Sequence, residues 1–338
     1  MSDIEVREVD LADEAALHAW WDVGRTASAH DDVDDFWPAW ETAYAGWLRP
    51  DPVRRFVRLG AHDGSGVVGI ASLQLEDADN THLAIVKLMV LPDRRGGGAG
   101  SALLSAVEAA ARADARSHVL SSVTVPLDAD EQSEPSLTFA LHRGYAVAGT
   151  EEVKVADLLA TEDGWADLAA TAAEKAAGYE LVCWTDRAPE EHLDEIARLY
   201  SRFLGEIPLG DVALNPASWS TERIRESEER WLASGRHQVL VAAVAPDGTL
   251  AGYTNLFVLD GRPERAGIDS TLVLPEHRGH RLGLALKVRL HQETRARHPE
   301  VTRIATGNAD VNTWMNAVND QLGYRVVETS LDVQKVLS

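Results

Sequence analysis

The sequence predicts a mixed α/β protein made of two similar domains. The first reason is length, because 338 residues are many for one compact core. The second is an internal repeat: residues 90–104 read VLPDRRGGGAGSALL, residues 273–287 read VLPEHRGHRLGLALK, and a Gly-Tyr pair follows each copy at Gly144 and Gly323. A repeat with so long a period indicates a duplicated domain and not a solenoid.

The third reason is that both copies have the same predicted order of elements. In the first copy, the apolar run from Leu83 to Leu91 is typical of a buried strand that Pro92 ends, and a glycine-rich turn then leads into a helix. SSVTVPL predicts another strand, and Ser133 is a candidate N-cap for a helix that ends at Gly144.

The second copy matches this order. GIDSTLVLP is the strand, LALKVRLHQETRA the helix, RIATG the next strand, and a last helix is predicted from about Asn312 to Gly323. Between the copies, the Ala-rich stretch EDGWADLAATAAEKAAGYE predicts a connecting helix that ends near Gly178. We therefore expect domains at residues 1–158 and 179–338, joined by a linker at 159–178.

Charge and composition argue against several classes of protein. The formal charge of −22 argues against a nucleic-acid partner and favours a basic acceptor, although net charge also serves solubility alone. No apolar run approaches the roughly 20 residues that span a bilayer, so no membrane partner is expected. The start MSDIEVREVDL is too acidic for a secretory signal, and the lone Cys183 cannot form an internal disulfide. A cytoplasmic protein is expected.

The glycine turn of the first copy is a candidate phosphate site. Without Cβ atoms, Gly96, Gly97 and Gly98 can adopt positive φ angles, so that successive backbone N–H groups converge on one anion. The helix that follows adds unpaired N–H groups and the positive end of its dipole. A dinucleotide fingerprint is not met because position 101 is Ser, and the turn has no lysine for a P-loop. A purely structural turn remains the alternative.

Each turn resembles the acetyl-CoA motif of the GNAT superfamily, Arg/Gln-x-x-Gly-x-Gly/Ala between a strand and a helix. Arg95, Gly98 and Gly100 match all three positions. In the second copy Arg278 and Gly283 match, but Arg281 replaces the first glycine. The chain thus resembles a tandem GNAT protein of the actinobacterial type.

The resemblance implies a mixed sheet in each domain, splayed between its fourth and fifth strands and flanked by helices. Acetyl-CoA would lie in the gap, with pantetheine along the fourth strand and the pyrophosphate on the turn; no metal is expected. The implied cofactor residues are Leu88, Met89, Val90, Arg94, Arg95, Gly96, Gly97, Gly98, Ala99, Gly100 and Ser101 in the first copy, and Leu272, Val273, Arg278, Gly279, His280, Arg281, Leu282, Gly283, Asn308 and Asn312 in the second.

The same family often places an acid on the fourth strand as base and a tyrosine in the last helix as proton donor. In the first copy these positions hold Val86 and Ala140, so neither group is present. In the second they hold Asp269 and Asn319, which are the candidate catalytic residues. Asp269 as a strand-edge carboxylate bonded to backbone, and asparagines as helix caps or turn residues, remain the alternatives.

The function these observations favour is an acetyl-CoA-dependent N-acetyltransferase that acts on a small amine by direct transfer in a ternary complex. The alternative is a CoA-binding, sensing or scaffold protein in which one or both copies are degenerate. A monomer or a homodimer is expected. Tryptophans ahead of each turn are expected to be core and interdomain packing, with an aromatic acceptor pocket as the other interpretation; they are Trp20, Trp21, Trp37, Trp40, Trp47, Trp219 and Trp231.

Overall fold

The computed structural model describes residues 4–31, 37–127, 129 and 134–338 and has a mixed α/β architecture, which confirms the predicted class. The strands are β1 Glu5–Glu8, β2 Arg54–His62, β3 Val67–Glu76, β4 Leu83–Val90, β5 His118–Pro126, β6 Ala146–Asp157, β7 Glu180–Thr185, β8 Arg236–Val244, β9 Leu250–Leu259, β10 Arg262–Val273, β11 Arg303–Ala309 and β12 Arg325–Val336. The helices are α1 Glu14–Asp31, α2 Trp40–Trp47, α3 Ala99–Ala113, α4 Pro135–Leu141, α5 Leu158–Thr161, α6 Trp165–Ala173, α7 Leu193–Glu206, α8 Thr221–Ala233, α9 Leu282–Arg297 and α10 Thr313–Gln321.

The described strands form one continuous sheet in which the two copies exchange their last strands. The strand order is β1-β2-β3-β4-β5-β12-β6-β11-β10-β9-β8-β7. Thus β12, the end of the second copy, completes the sheet of the first beside β5, and β6, the end of the first copy, completes the sheet of the second beside β11. We call β1–β5 with β12 the first half of the sheet and β6–β11 the second half.

Both halves are splayed at the expected place. Within the first half, β4 and β5 run parallel and pair only from Leu83 to Ile85 on β4. Within the second, β10 and β11 run parallel and pair only from Arg265 to Gly267 on β10. Beyond these pairs the neighbouring strands separate, so each half has a gap between its fourth and fifth strands.

Helices cover both faces of each half. In the first, α3 packs on one face over a core that includes Leu73 and Leu103, and α1 packs on the other with Trp20 and Trp37. In the second, α6 and α9 cover one face, and α7 and α8 cover the other around Tyr253. Trp20 and Trp37 are therefore core residues, as the packing interpretation expects.

Element boundaries follow local signals. The last helix of the second copy begins after Asn312, whose side chain accepts a hydrogen bond from the Met315 N–H at 3.3 Å. Ser133, the predicted cap of α4, lies outside the described residues; Glu134 caps that helix by accepting from the Ser136 N–H. The Ala-rich stretch between the copies contains the expected helix, α6. The division into residues 1–158, 159–178 and 179–338 stays a prediction. No helix in the described ranges is long and apolar enough to cross a membrane.

Candidate functional site

The turn between β4 and α3 presents a row of unpaired amides. Gly96 and Gly98 have φ of 76° and 98°, the left-handed region that glycine adopts without strain. A Cβ at either position would meet nothing within 4 Å, so open space faces the turn. Within the described chain, the first backbone N–H after Arg94 with an internal acceptor is that of Ala102, which donates to the Gly98 carbonyl. The N–H groups of residues 95–101 are thus available to an anion.

The turn between β10 and α9 repeats this geometry with one departure. Gly279 has φ of 88° and open space where a Cβ would be. Arg281 takes the place of Gly98 and is itself left-handed, with φ of 53°. Such a backbone costs a non-glycine residue on the order of 1 kcal/mol. In the described chain, the N–H groups of residues 279–284 have no internal acceptor, and Ala285 is the first to donate, to the Arg281 carbonyl.

The motif arginines brace the two turns in the same way. Arg95 Nε donates to the Val90 carbonyl at 3.2 Å, and its Nη2 lies 2.5 Å from Asp31 Oδ2 at the end of α1. Arg278 Nε donates to the Val273 carbonyl at 3.1 Å, and its Nη2 lies 3.0 Å from Glu206. Each guanidinium therefore ties the turn to the end of the preceding strand and to the first helix of its half.

The fourth strand of each half offers backbone groups to the gap. The carbonyls of Val90 and Val273 point toward the arginine of the turn. Along a strand, every second residue directs its backbone N–H and C=O groups to the same side. Leu88 and Thr271 therefore direct their N–H and C=O groups into the gap, where β5 and β11 no longer pair with them. Leu272, by contrast, lies in the apolar core beside α7 with an exposure of 2%.

The remaining predicted cofactor residues have internal contacts. Arg94 pairs with Asp63 at 2.9 Å, and Ser101 Oγ accepts from Arg143 at 2.5 Å. His280 contacts the Lys175 carbonyl through Nδ1 at 3.3 Å, and Arg281 Nη1 donates to the Thr171 carbonyl at 3.4 Å. The second turn is thus attached to α6 and to the residues that directly follow it. Met89 contacts the tryptophan cluster beside α1, and Leu282, the first residue of α9, is buried in the core of the second half.

Asp269 lies at an irregularity of β10. The pairing of β10 with β9 shifts register between Ile268 and Ser270, so Asp269 occupies a bulge beside the gap. Its residue is exposed, and Oδ2 accepts from Asn255 Nδ2 at 3.3 Å and from Ser270 Oγ at 3.1 Å. Asn255 is 1% exposed, and its Oδ1 has no hydrogen-bond partner among the described residues. No such bulge interrupts the pairing of β4 with β3.

Aromatic and basic side chains surround Asp269. Burial and the negative charge of Asp269 raise the pKa of Tyr200, whose hydroxyl accepts from Gln238 at 3.4 Å. Burial raises the pKa of Tyr253 as well, so both phenols stay protonated. Burial lowers the pKa of Arg236, and the charge of Asp269 opposes that shift. The α7 and α8 face of the second half therefore carries a polar site that ends at the gap.

Asn319 belongs to a buried polar chain. Its Oδ1 accepts from Lys287 Nζ at 2.5 Å, and its Nδ2 donates to Asn308 Oδ1 at 2.5 Å. Both Lys287 and Asn319 are 0% exposed. Burial, reinforced by the charge of Lys154, lowers the pKa of Lys287 to about 7. Asn308 and Asn319 are thus brought together as neighbours, whereas Asn312 serves as a helix cap.

Sequence reasoning missed Lys287 and two carboxylates at the exchanged strands. Burial raises the pKa of Asp332 on β12, and burial together with the charge of Asp332 raises that of Glu151 on β6. The signal for Lys287 is a lone lysine in an apolar helix, and it was visible in LALKVRL. The position of Glu151 in the second half could not be predicted from neighbouring residues, because it depends on the exchange of β6 between the halves. Within the described ranges no group of three or more His, Cys, Asp or Glu could hold a metal ion.

Comparison with known proteins places these features in a family. A search of curated proteins finds no match. Among solved structures, a tandem GNAT protein from the clavulanic acid biosynthesis pathway is 25% identical, with a TM-score of 0.79 over 99% of both chains. A GCN5-related N-acetyltransferase from Sphaerobacter thermophilus is 17% identical, with a TM-score of 0.66 over 99% of this chain and 96% of that one. At this lower identity only the fold is shared.

In a third structure, the chain resembles only part of a larger protein. The chain covers 38% of a fungal multi-domain GH3 β-N-acetylglucosaminidase that contains a GCN5-related glucosamine N-acetyltransferase region, at 16% identity and a TM-score of 0.68. The model of the acetyltransferase (GNAT) family matches residues 15–139 and 193–324, one match in each copy. With most of its length matched, the chain belongs to the GNAT acetyltransferase family as a tandem member.

Proposed function

We propose that this protein transfers the acetyl group of acetyl-CoA to the amino group of a small molecule, and that the second half performs the chemistry. The observation that carries the proposal is Asp269, an exposed carboxylate at a bulge beside the strand gap, held by Asn255 and Ser270. The first half has the apolar Val86 at the position expected for this base.

The cofactor site rests on the free amides of the two turns. A diphosphate on residues 279–284 would receive N–H groups from the turn and from the start of α9, together with the positive end of the helix dipole. Pantetheine would then extend along Thr271, whose backbone faces the gap. The match to the acetyltransferase (GNAT) family in both copies supports acetyl-CoA as the cofactor here.

The acceptor would approach from the α7 and α8 face. An amine must be neutral to attack a thioester, so a base has to take its proton, and we assign this role to the exposed carboxylate of Asp269. The buried Tyr200 and Tyr253 remain neutral at physiological pH and add ring surface and hydroxyl groups to the site. A basic small molecule suits this site, since both Asp269 and the overall charge of −22 attract cations.

Thiol release from acetyl-CoA with a panel of small amines tests the proposal. Asp269→Asn should lower kcat/KM by about 10²-fold or more, because general-base catalysis contributes about that much, while binding of acetyl-CoA in calorimetry stays unchanged. Asp320→Asn, an exposed carboxylate on α10, is the matched control and should behave as wild type. Equal turnover by the Asp269 and Asp320 variants contradicts Asp269 as the base.

Initial rates test the order of events. Direct transfer in a ternary complex requires intersecting lines in double-reciprocal plots when both substrates are varied, whereas parallel lines would indicate an acetylated enzyme.

A CoA-binding protein without turnover is the second candidate. It is favoured by Ala140 and Asn319, which stand where the family often has a tyrosine that protonates the thiolate. Tight binding of acetyl-CoA by the wild type with no thiol release from any amine would support this candidate.

A further inference from the structure

The hydrogen bonds that link Lys287, Asn319 and Asn308 run in one fixed direction. A lysine ammonium has three donors and no acceptor, so the side-chain oxygen of Asn319 must face it. The amide nitrogen of Asn319 then faces Asn308 and requires an oxygen there, which matches the observed contact of 2.5 Å. The amide nitrogen of Asn308 is consequently turned away from Asn319. It has no acceptor within the described chain.

Asn308 lies beside the gap. The last residue of β11 that pairs with β10 is Ala305, and Asn308 is three residues farther along, where the two strands have separated. Its other edge pairs with Glu152 on β6, and its side chain points to the face of α9 and α10. The residue is only partly buried, and its Nδ2 has no acceptor in the described chain, so this N–H group remains available to a ligand.

We propose that Asn308 donates a hydrogen bond from Nδ2 to the leaving sulfur of the thioester in the second half, and that Asn319 and Lys287 are positioning residues that keep this N–H group directed into the gap. The inference rests on the proposed acetyl transfer. The amine nitrogen forms a bond to the thioester carbon and loses a proton to Asp269, and the C–S bond breaks with its electron pair on sulfur. Asn308 stabilises that thiolate, which then takes a proton from water.

The first half provides the contrast. There the position three residues beyond the last β4–β5 pair is Val123, and the positions equivalent to Lys287 and Asn319 are Leu104 and Ala140. All three are buried in one apolar core. A lysine inside a protein is unfavourable unless its charge is compensated. In the described part of the second half, no carboxylate accepts from Lys287 Nζ, so fold stability alone does not account for this residue.

The charges around Lys287 set its pH dependence. Lys154 on β6 is the nearby cation and is itself paired with Glu152 at 3.0 Å and with Asn316 at 2.9 Å. Tyr324 lies with its ring 5.1 Å from Lys287 Nζ, and His291 on α9 contacts the Tyr324 hydroxyl. Burial and the charge of Lys287 lower the pKa of His291 to about 3, so it stays neutral.

If Lys287 lost its proton, the direction of the hydrogen bonds through Asn319 and Asn308 would no longer be fixed. A neutral amine can accept a hydrogen bond, and Asn319 and Asn308 can then both reverse and present an oxygen to the sulfur. Since the pKa of Lys287 is about 7, turnover should decline as the pH rises through that range.

The test compares Asn308→Ala, Lys287→Met and wild type with acetyl-CoA and an amine that the wild type acetylates. Removing a preorganised donor to developing charge lowers kcat by about 10²-fold, so Asn308→Ala should lose that factor with little change in the KM for acetyl-CoA. Lys287→Met should lose a smaller factor of kcat and also the alkaline decline. The matched control is Lys154→Met, which removes a second buried lysine that does not bond to Asn319 or Asn308. It should keep kcat and move the alkaline decline to higher pH, because the charge of Lys154 no longer lowers the pKa of Lys287.

A second readout does not depend on turnover. Coenzyme A bound to the wild type should have a lowered thiol pKa, measured by thiolate absorbance, and Asn308→Ala should raise it. If the wild type acetylates an amine but Asn308→Ala retains its kcat and its bound thiol pKa, the role of Asn308 is refuted while the proposed function stands. If the wild type acetylates no amine, the proposed function fails, and the thiol pKa alone decides on Asn308.

Discussion

The two halves of this protein share one scaffold but use the same positions for different purposes. In the first half, the turn has glycine at Gly98, whereas Leu104, Val123 and Ala140 beside the gap are apolar. In the second, Arg281 strains the turn, whereas the equivalent positions hold Lys287, Asn319 and Asn308, and a bulge presents Asp269. Both halves thus retain the backbone geometry of the turn, whereas the polar side chains to which we assign the chemistry occur only in the second half.

The largest expected effect separates the two proposed cofactor turns. Gly98→Val should abolish binding of acetyl-CoA at the first half, because a β-branched residue is poorly accommodated at a φ of 98° and its side chain would fill the space open to the phosphate. Calorimetry should then give one mole of acetyl-CoA per chain in place of two.

The matched control is Gly248→Val. Gly248 also has a positive φ and open space, but it lies in the turn between β8 and β9. This variant should keep two moles per chain. If Gly98→Val also binds two, or if the wild type binds only one and Gly98→Val retains it, the first turn is not a cofactor site.

The next largest expected effect is the loss of stability when a core leucine of an exchanged strand is truncated. Leu331 and Leu322 both belong to the second copy and are each 1% exposed, but Leu331 on β12 packs in the core of the first half and Leu322 in that of the second. Truncation to Ala should cost about 2–5 kcal/mol at either site. Hydrogen exchange should accelerate in α3 for Leu331→Ala and in α9 for Leu322→Ala. Acceleration in α9 for Leu331→Ala, with α3 unaffected, would contradict the strand exchange.

The smallest effect concerns the strained arginine. Arg281→Gly should increase the free energy of unfolding by about 1 kcal/mol, since glycine adopts a φ of 53° without strain. If the Arg281 cation also contacts phosphate, the same change should weaken acetyl-CoA binding at the second half by roughly tenfold. Denaturant unfolding and calorimetry measure the two effects. A stability loss in Arg281→Gly would show that the contact with the Thr171 carbonyl outweighs the strain.

Much of the fold could be predicted from residues near one another in sequence. The repeated V-L-P, the arginine and the glycines predicted both strand-turn-helix units because turn and strand signals are local. Asp269 was predicted from the family resemblance, which implies an acid at this place on the fourth strand, and the structure adds that it occupies a bulge beside the gap. The role of Arg95 and Arg278 as braces was not predictable, because their partners Asp31 and Glu206 lie on distant helices.

The amino-acid sequence was enough to predict that the domain is duplicated, that each copy has an arginine-led, glycine-containing turn before a helix, and that only the second copy has an acid on its fourth strand. Periodicity and turn chemistry carry this information because they act between neighbouring residues. The exchange of β6 and β12 between the halves, and the hydrogen bonds that link Lys287, Asn319 and Asn308, became visible only in the folded protein. Those contacts join residues far apart in sequence, and their partners are set by how strands pair and helices pack.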